Sequence, residues 1–263
     1  MKITVLCENT AAREDMLTEH GLSLYVETGC HKLLFDMGQT DAFWRNAQRL
    51  GIDLSAVDIA VLSHGHYDHG GGLAYFLEHN RKAKVYVSQH AFGAYYNATG
   101  SYIGLDSALQ SSDRVVPVGH QLVIDEELSL YSCNDYVRSH ETAHYGLSVL
   151  EKDTLLPDRF LHEQYLLVQD GDKTVLFSGC AHKGVLNIAR WFAPDVFVGG
   201  FHFMKLDPDT EDRQILQQAA EEMLANPTVY YTGHCTGTRQ YDYLKELMAE
   251  RLHSISTGDA LYI

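Results

Sequence analysis

The sequence has no apolar run that approaches the ~20 residues needed to span a bilayer. Its first eight residues are apolar only briefly, too briefly for the core of a signal peptide. Proline is scarce, at 5 of 263 residues; no stretch rich in proline or serine marks a linker, and no short repeat is present. These absences predict a cytoplasmic protein without a membrane segment, folded as a single domain over residues 1–263.

Paired cysteines are also missing. The five cysteines are odd in number, widely spaced and without a Cys-x-x-Cys pair: Cys7, Cys30, Cys133, Cys180 and Cys235. This pattern argues against a disulfide framework and against a zinc ribbon. It is typical of proteins in a reducing compartment.

Positive charge is in short supply. Lysine and arginine number 20 against 35 aspartates and glutamates, which gives a formal net charge of −15. The field of such a chain repels polyanions, so we expect no nucleic-acid partner. A small anionic substrate is still compatible, because bound metal ions would invert the local potential. A homo-oligomer is compatible with the sequence, which does not specify the oligomeric state.

Histidine is plentiful, and four potential metal ligands fall within six positions. They are His64, His66, Asp68 and His69, directly after the apolar run 59–62, which predicts a buried strand. Imidazole and carboxylate groups together suit zinc or iron and can hold two ions close together. A strand that leads into a ligand loop is also where an open α/β sheet places its site. The motif therefore predicts a metal centre rather than a solvated, histidine-rich loop.

Two further histidines repeat the order of apolar strand, glycine and histidine. His182 comes just after the expected strand 175–177, and His234 comes just after the expected strand 229–231. We predict both as metal ligands because their context matches that of the His64 loop. The alternative for each is a surface histidine or a hydrogen-bonded core histidine.

Three more residues leave two interpretations each. If strands 163–169 and 173–177 pair through the turn at 170–172, His162 lies near the site, as a ligand or as a structural histidine. Cys180 could bridge two metals as a thiolate, although a buried, inert thiol is slightly favoured. His202 follows another strand and could contact substrate, carry a proton or simply pack.

Apolar runs and turn signals predict strands followed by helices in both halves of the chain. Strands are expected at 2–6, 22–27, 32–35, 57–62, 84–88, 121–124, 128–132, 147–150, 163–169, 173–177, 196–198 and 229–231, and helices at 41–50, 72–79, 184–191, 210–224 and 238–250. This order favours two sheets packed face to face with helices outside. Residues 90–113 are aromatic and glycine-rich without a clear period. They predict a lid or substrate-binding insertion, or else a surface loop over packed aromatics.

These motifs resemble those of the metallo-β-lactamase superfamily. The His-x-His-x-Asp-His signature is present at 64–69, together with the Asp36-x-Gly38 turn, the glycines at 70–72 and the late His234. Segments 34–39, 62–71, 178–182 and 233–237 are similar, more narrowly, to the branch of 7,8-dihydropterin-6-methyl-4-(β-D-ribofuranosyl)aminobenzene-5′-phosphate synthases. The resemblance covers nearly the whole chain. It implies an αββα sandwich of the α/β (α+β) class, with two packed mixed sheets, outer helices and metals at one edge.

The sequence departs from the family pattern at two motifs. The fourth motif has Gly179-Cys180 where the family usually has Gly-Asp, whose carboxylate bridges the metals. The third-motif histidine has only one well-placed candidate, His162. Both departures bear on which metal binds and how many ions bind.

The resemblance implies a binuclear metallo-hydrolase acting on a small molecule. Two divalent ions about 3.5–4 Å apart, most simply Zn²⁺ with iron or manganese as alternatives, would share a hydroxide and clamp the attacked group. Asp68 would ligate one ion and orient the nucleophile, and His202 or a tyrosine would act as acid or substrate contact. Family analogy favours a phosphorylated or pterin-like substrate.

Four residues are predicted to bind that substrate. Tyr95, Tyr96 and Tyr102 of the insertion could stack on a planar ring. Arg239, near the start of a helix, could hold an anionic group. The alternatives to hydrolysis are an iron-dependent redox or other non-hydrolytic enzyme, and a metal-dependent binding protein without turnover.

Overall fold

Two mixed seven-stranded sheets form the centre of the molecule, and the computed structural model describes all residues 1–263. In spatial order the first sheet contains β17 (Ala260–Tyr262), β1 (Lys2–Cys7), β2 (Ser23–Glu27), β3 (Lys32–Phe35), β4 (Ile59–Val61), β5 (Lys84–Ser88) and β7 (Val115–Val118). The second contains β16 (Leu252–Ser254), β15 (Val229–Thr232), β14 (Val196–Val198), β13 (Lys173–Phe177), β12 (Tyr165–Asp170), β9 (Leu128–Tyr131) and β8 (Gln121–Val123). In each sheet one half is parallel and the other antiparallel.

Helices cover the outer faces of both sheets. The six α-helices are α1 (Ala42–Arg49), α2 (Tyr67–Gly70), α3 (Leu73–His79), α4 (Val185–Phe192), α5 (Asp212–Leu224) and α6 (Thr238–Met248). Side chains of α1 and α3 pack on the first sheet, and side chains of α4, α5 and α6 pack on the second. None of these helices is long and apolar enough to cross a membrane.

The alternation of side chains along β3 shows how the layers form. Leu33 and Phe35 point between the two sheets, where the Phe35 ring lies 5.6 Å from that of Phe177 in the second sheet. Leu34 points the other way and packs beneath α1 and α3. Because successive side chains of a strand point to opposite faces, a strand buried on both faces has a continuous apolar sequence. The predicted αββα sandwich is confirmed.

The strands that the sequence analysis missed are mostly short and lie at the edges of the sheets. β7 was not expected because it contains Pro117, which removes a backbone donor; its place at the edge of the sheet makes proline acceptable there. β16 and β17 have three residues each, too few to show a period. The predicted helix at 72–79 begins one residue later, at Leu73.

The insertion also has regular structure that its sequence did not indicate. β6 (Tyr95–Tyr96) pairs with β10 (Ser148–Glu151), and β10 pairs with β11 (Thr154–Pro157), so that residues far apart in sequence form a small third sheet. The strand expected at 147–150 therefore belongs to this sheet and not to the second large one. β11 is exposed along its whole length, so it carries no buried apolar pattern to detect.

The topology brings the predicted ligands to one edge of the sandwich. β3, β4, β13, β14 and β15 all end there, and each is followed by a loop that carries polar side chains. Parallel strands place their carboxyl ends at the same edge, where ligands of α/β sheets usually bind. Loops from both sheets can therefore meet at a single site.

Candidate metal centre

Seven buried side chains form two adjacent groups of potential metal ligands. Within each group the ligand atoms lie within 4.8 Å of one another; the first cluster is His64, His66 and His182, and the second cluster is Asp68, His69, Cys180 and His234. The loop after β4 supplies four of them, and the ends of β13 and β15 supply the others. The structure thus brings together all six residues predicted as ligands from the sequence, and Cys180 with them.

Imidazole nitrogens face one another in these clusters. His182 Nε2 lies 3.3 Å from His64 Nε2, and His69 Nε2 lies 3.1 Å from His234 Nε2. His66 Nε2 and His182 Nδ1 are buried without any hydrogen-bond partner. A buried polar atom normally has a partner, and imidazole nitrogen is a preferred ligand of zinc and iron. The donor set and its unpartnered atoms are consistent with metal binding.

Asp36 orients the histidines of both clusters. Its carboxylate accepts hydrogen bonds from His69 Nδ1, from the Ser63 backbone N–H and from Ser63 Oγ, each at 2.7 Å. Ser63 Oγ also lies 2.8 Å from His64 Nδ1. These contacts hold the Nδ1 side of each ring and leave Nε2 directed at the centre, as outer-shell partners of metal-binding histidines do.

Gly179 shows how closely the two sheets approach at the site. A Cβ atom on this residue would lie 2.9 Å from His64 Nδ1 and would overlap the Ser63 side chain. Any larger residue would push the loop after β13 away from the loop after β4. The glycine therefore lets Cys180 and His182 reach ligands from the other sheet.

Carboxylate and amide groups support the remaining ligands from behind. Glu163 accepts a hydrogen bond from the His182 backbone N–H at 2.6 Å, and Asn9 Oδ1 lies 2.9 Å from His234 Nδ1. Glu8 accepts a hydrogen bond from the His234 backbone N–H. Sequence analysis missed these three residues. Glu8 and Asn9 had a detectable signal, since they directly follow β1, which runs parallel to β3; Glu163 lies in an irregular segment and had none.

The two clusters differ in charge. Burial, followed by the neighbouring imidazoles, lowers the pKa of His66 to about 3, and burial likewise holds the pKa values of His64 and His182 well below their usual range. Burial also opposes a charged His69, but the carboxylates of Asp36 and Asp68 outweigh it and raise the pKa of His69 to about 9. Burial therefore favours neutral imidazoles in the first cluster, whereas the neighbouring carboxylates favour a protonated His69 in the second.

His162 lies beside the site with both ring nitrogens engaged. Nδ1 accepts a hydrogen bond from the Gly65 backbone N–H at 2.9 Å, and Nε2 lies 3.0 Å from Asp158 Oδ2. His66, Asp158 and His162 come within 4.8 Å of one another, but a ligand needs a free lone pair, and His162 uses its own on Gly65. The geometry favours the structural alternative: His162 supports the loop between His64 and His66.

Cys180 and His202 lie next to the ligand groups. Cys180 Sγ is 3.2 Å from His69 Nε2, and burial raises the pKa of its thiol well above the usual value. His202 forms a further group with Cys180 and His182, and its ring lies 4.4 Å from that of His182. Both ring nitrogens of His202 are buried without a partner. A third neighbour, His20, has its Nε2 3.6 Å from Asp68 Oδ2 and was not expected at the site.

The four predicted substrate-binding residues lie elsewhere. Tyr95 is buried, donates a hydrogen bond to the His90 carbonyl at 2.6 Å and packs on the rings of His66 and His162. Tyr96 and Tyr102 pack edge to face on one another at 5.6 Å. None of the three lines the cavity that reaches His182 and His202. A role in substrate binding stays a prediction, and these positions do not favour it.

Arg239 forms two exposed ion pairs with aspartates. Its guanidinium lies 3.0 Å from Asp207 Oδ1 and 2.5 Å from Asp209 Oδ2, and more than half of its side chain is exposed. Two carboxylates already compensate its charge. It is absent from the linings of both cavities that touch ligand histidines.

Comparison with known proteins agrees with this architecture. The sequence profile described as the metallo-beta-lactamase superfamily matches residues 18–149, just over half of the chain. The chain belongs to this superfamily. The resemblance seen in its motifs is thereby confirmed, and the clusters of histidine, aspartate and cysteine are consistent with metal binding.

Two relatives come from Methanocaldococcus jannaschii. One is an uncharacterized protein, 27% identical over 93% of this chain and 94% of its own length. The other is 7,8-dihydropterin-6-methyl-4-(beta-D-ribofuranosyl)-aminobenzene-5′-phosphate synthase, 23% identical over 98% of this chain and 95% of its own length. Both matches extend along almost the whole of this superfamily member.

Solved structures share the fold. Tm1679, described as a metal-dependent hydrolase of the beta-lactamase superfamily, is 27% identical and superposes with a TM-score of 0.84 over 100% of this chain and 99% of its own. Zn²⁺-bound PqqB from Methylobacterium extorquens is 12% identical, with a TM-score of 0.63 over 100% of both chains. This superfamily protein is therefore hydrolase-like in architecture, with a histidine-rich site suited to metal.

Proposed function

We propose that this protein is a binuclear metal-dependent hydrolase acting on a small molecule, with Zn²⁺ as the first candidate metal. The observation that carries the proposal is the pair of adjacent ligand clusters with unpartnered imidazole nitrogens. The first cluster would hold one ion and the second cluster the other. Cys180, where the family usually has a carboxylate, would serve the second ion, next to His69.

Such ions supply two kinds of chemistry, activation of water and polarisation of the bond that water attacks. The chain's own residues supply positioning. Asp36 and Ser63 fix the rings of His69 and His64 so that their Nε2 atoms face inward. Asp68, 3.4 Å from His234 Nε2, offers an anionic oxygen on the side of the second cluster.

His202 is the residue best placed to handle a proton. Its two ring nitrogens have no partner in the protein, and its ring borders both His182 and the neighbouring cavity. A free imidazole can hold a proton at either nitrogen and pass it to a leaving group. We therefore assign His202 the role of general acid or substrate contact, and Asp68 the role of ligand that orients the nucleophile.

The similarity to the solved structure of Tm1679 favours hydrolysis over redox chemistry. Tm1679 is described as a metal-dependent hydrolase and matches the chain from end to end. Family analogy adds phosphorylated or pterin-like small molecules as test substrates, since one relative that matches along almost its whole length is named 7,8-dihydropterin-6-methyl-4-(beta-D-ribofuranosyl)-aminobenzene-5′-phosphate synthase. Its name describes a synthase, so products other than those of hydrolysis belong in the assay.

Metal analysis combined with turnover tests the proposal. We expect about two equivalents of zinc per chain and hydrolysis of at least one member of a panel of phosphomonoesters, phosphodiesters, carboxylic esters and lactones. His64→Ala and His234→Ala should each lower the metal content and abolish turnover. The control is His120→Ala, because His120 is exposed and pairs only with Asp135.

Three outcomes would contradict the proposal. Full metal content in both ligand variants would place the metal elsewhere. Iron with a visible absorption band, together with oxygen-dependent turnover, would support the redox alternative. A metal-loaded protein that transforms no member of the panel would support a binding protein without turnover.

A further inference from the structure

A cavity of about 510 Å³ opens on one side of the candidate metal centre. His182 and His202 line it, and its walls come from residues 139–145, from the loop 201–206 and from α5. Its volume is typical of small-molecule sites. His182 Nδ1 and both ring nitrogens of His202 are buried without a partner, so they lie beneath the surface that a bound molecule would touch.

The walls of this cavity are apolar and acidic. Half of its lining residues are hydrophobic, among them Tyr145, Phe203 and Leu206. The charged lining residues are Glu141 and Glu222, and no lysine or arginine is present. Glu222 lies 3.0 Å from His140 Nε2, at the exposed rim.

A second cavity at the centre has the same charge character. It has a volume of about 500 Å³ and is lined by His234 together with the carboxylates of Glu8 and Asp242. It too has no lysine or arginine. A phosphate group bound on either side would therefore meet no permanently cationic side chain, in a protein whose formal charge is −15.

We propose that the cavity beside His182 and His202 binds a planar aromatic group without negative charge, and that a positive charge on this group strengthens binding. Binding of this group does not depend on the proposed function; only its identification as part of the substrate rests on that proposal. Apolar walls favour burial of an aromatic ring. At ~8 Å and an effective dielectric of ~60, suited to carboxylates near the surface, each carboxylate favours a cation and disfavours an anion about threefold.

Three probes of the same size and different charge test this proposal. Benzamidine is a cation, benzamide is neutral and benzoate is an anion, and calorimetry measures their affinities for the zinc-loaded protein. In the zinc-free protein, where the carboxylates set the local potential, we expect benzamidine to bind at least about tenfold more tightly than benzoate, with benzamide between them. Repeating the titrations after removal of zinc separates binding in the cavity from coordination of benzoate by the metal.

Variants assign the binding to this cavity. Glu141→Gln combined with Glu222→Gln should weaken benzamidine about tenfold and leave benzamide unchanged. Ala143→Trp, at an exposed position of the lining, should weaken all three probes. Ala225→Trp, exposed just beyond the end of α5 and outside the lining, is the matched control and should change none.

The proposal is overturned if the glutamine variant binds benzamidine as tightly as the parent protein, or if Ala143→Trp behaves like Ala225→Trp. Equal or tighter binding of benzoate in the zinc-free protein would also overturn it. Failure of the hydrolase proposal is seen separately, as missing metal or missing turnover. Selective probe binding without turnover would retain the cavity assignment and reject hydrolysis.

Discussion

Asp36→Asn tests whether this carboxylate sets the tautomer of a metal ligand. The amide must keep its oxygen on the Ser63 N–H, since two donors cannot face each other, and its NH₂ group then faces His69 Nδ1. His69 can satisfy that donor only by moving its own proton to Nε2, the atom that faces the second cluster. Asparagine also tolerates the left-handed backbone of residue 36 (φ 58°), so the change isolates the tautomer from strain.

The expected size of the effect follows from outer-shell partners of metal-binding histidines, whose loss costs about 10–100-fold in metal affinity. That range corresponds to about 1.4–2.7 kcal/mol. The loss should be larger at the second cluster, where His69 contacts Asp36 directly, than at the first cluster, which Asp36 reaches only through Ser63 Oγ and His64 Nδ1. Titration with a competing chelator resolves the two affinities, and the exposed Asp53→Asn variant is the control.

Two results would refute this reasoning. Unchanged zinc affinities would show that His69 does not depend on Asp36 for its tautomer. An equal loss at both ions would show that Asp36 acts on the whole loop through Ser63 and not on one ligand.

Three further predictions concern the same centre. In the zinc-free protein the raised pKa of His69 stabilises the fold fully below pH ~6.5, and this stabilisation is lost as the pH rises through about 9. The free energy of unfolding measured in urea should therefore fall over this window, and Asp36→Asn should make the fall smaller. Zinc must displace the extra proton of His69, so the affinity for the ion at the second cluster should rise between pH 7 and 9, and the affinity for the other ion should change less. Titrations with a competing chelator at several pH values would measure both affinities. His162→Ala leaves the Gly65 N–H without its partner, so it should cost about 1–3 kcal/mol in unfolding free energy and lower the zinc affinity of the first cluster. Arg239→Gln removes two exposed ion pairs away from the ligands and should leave the zinc content unchanged.

The ligand set could be predicted from sequence because each ligand has a local signal. An apolar strand ends, a glycine follows, and a histidine or aspartate comes next, as at His182 and His234. Because these strands run parallel within each sheet, their carboxyl ends then lie at one edge. The sandwich was predictable for a similar reason, since strands buried on both faces give continuous apolar runs.

The surroundings of the ligands were less predictable because they depend on contacts between distant segments. Tyr95 packs on the rings of His66 and His162 in a region where β6 pairs with β10, and β10 pairs with β11. No spacing in the sequence indicates this small sheet. The aromatic insertion therefore suggested a lid over substrate, whereas Tyr95 packs on His66 and is absent from the lining of the cavity beside His182 and His202.

Backbone strain at the site connects the fold to the function. Asp36, Ala181, His202 and His234 all have positive φ, between 50° and 58°, although none is glycine. Each such conformation costs of order 1 kcal/mol and persists only where surrounding contacts enforce it. Here the enforcing contacts are those that aim the ligands: Asp36 on His69 and Ser63, and Glu8 on the His234 backbone. The rest of the sandwich supplies the stability that offsets this strain, and the strain places imidazoles from two sheets within 3.3 Å of one another.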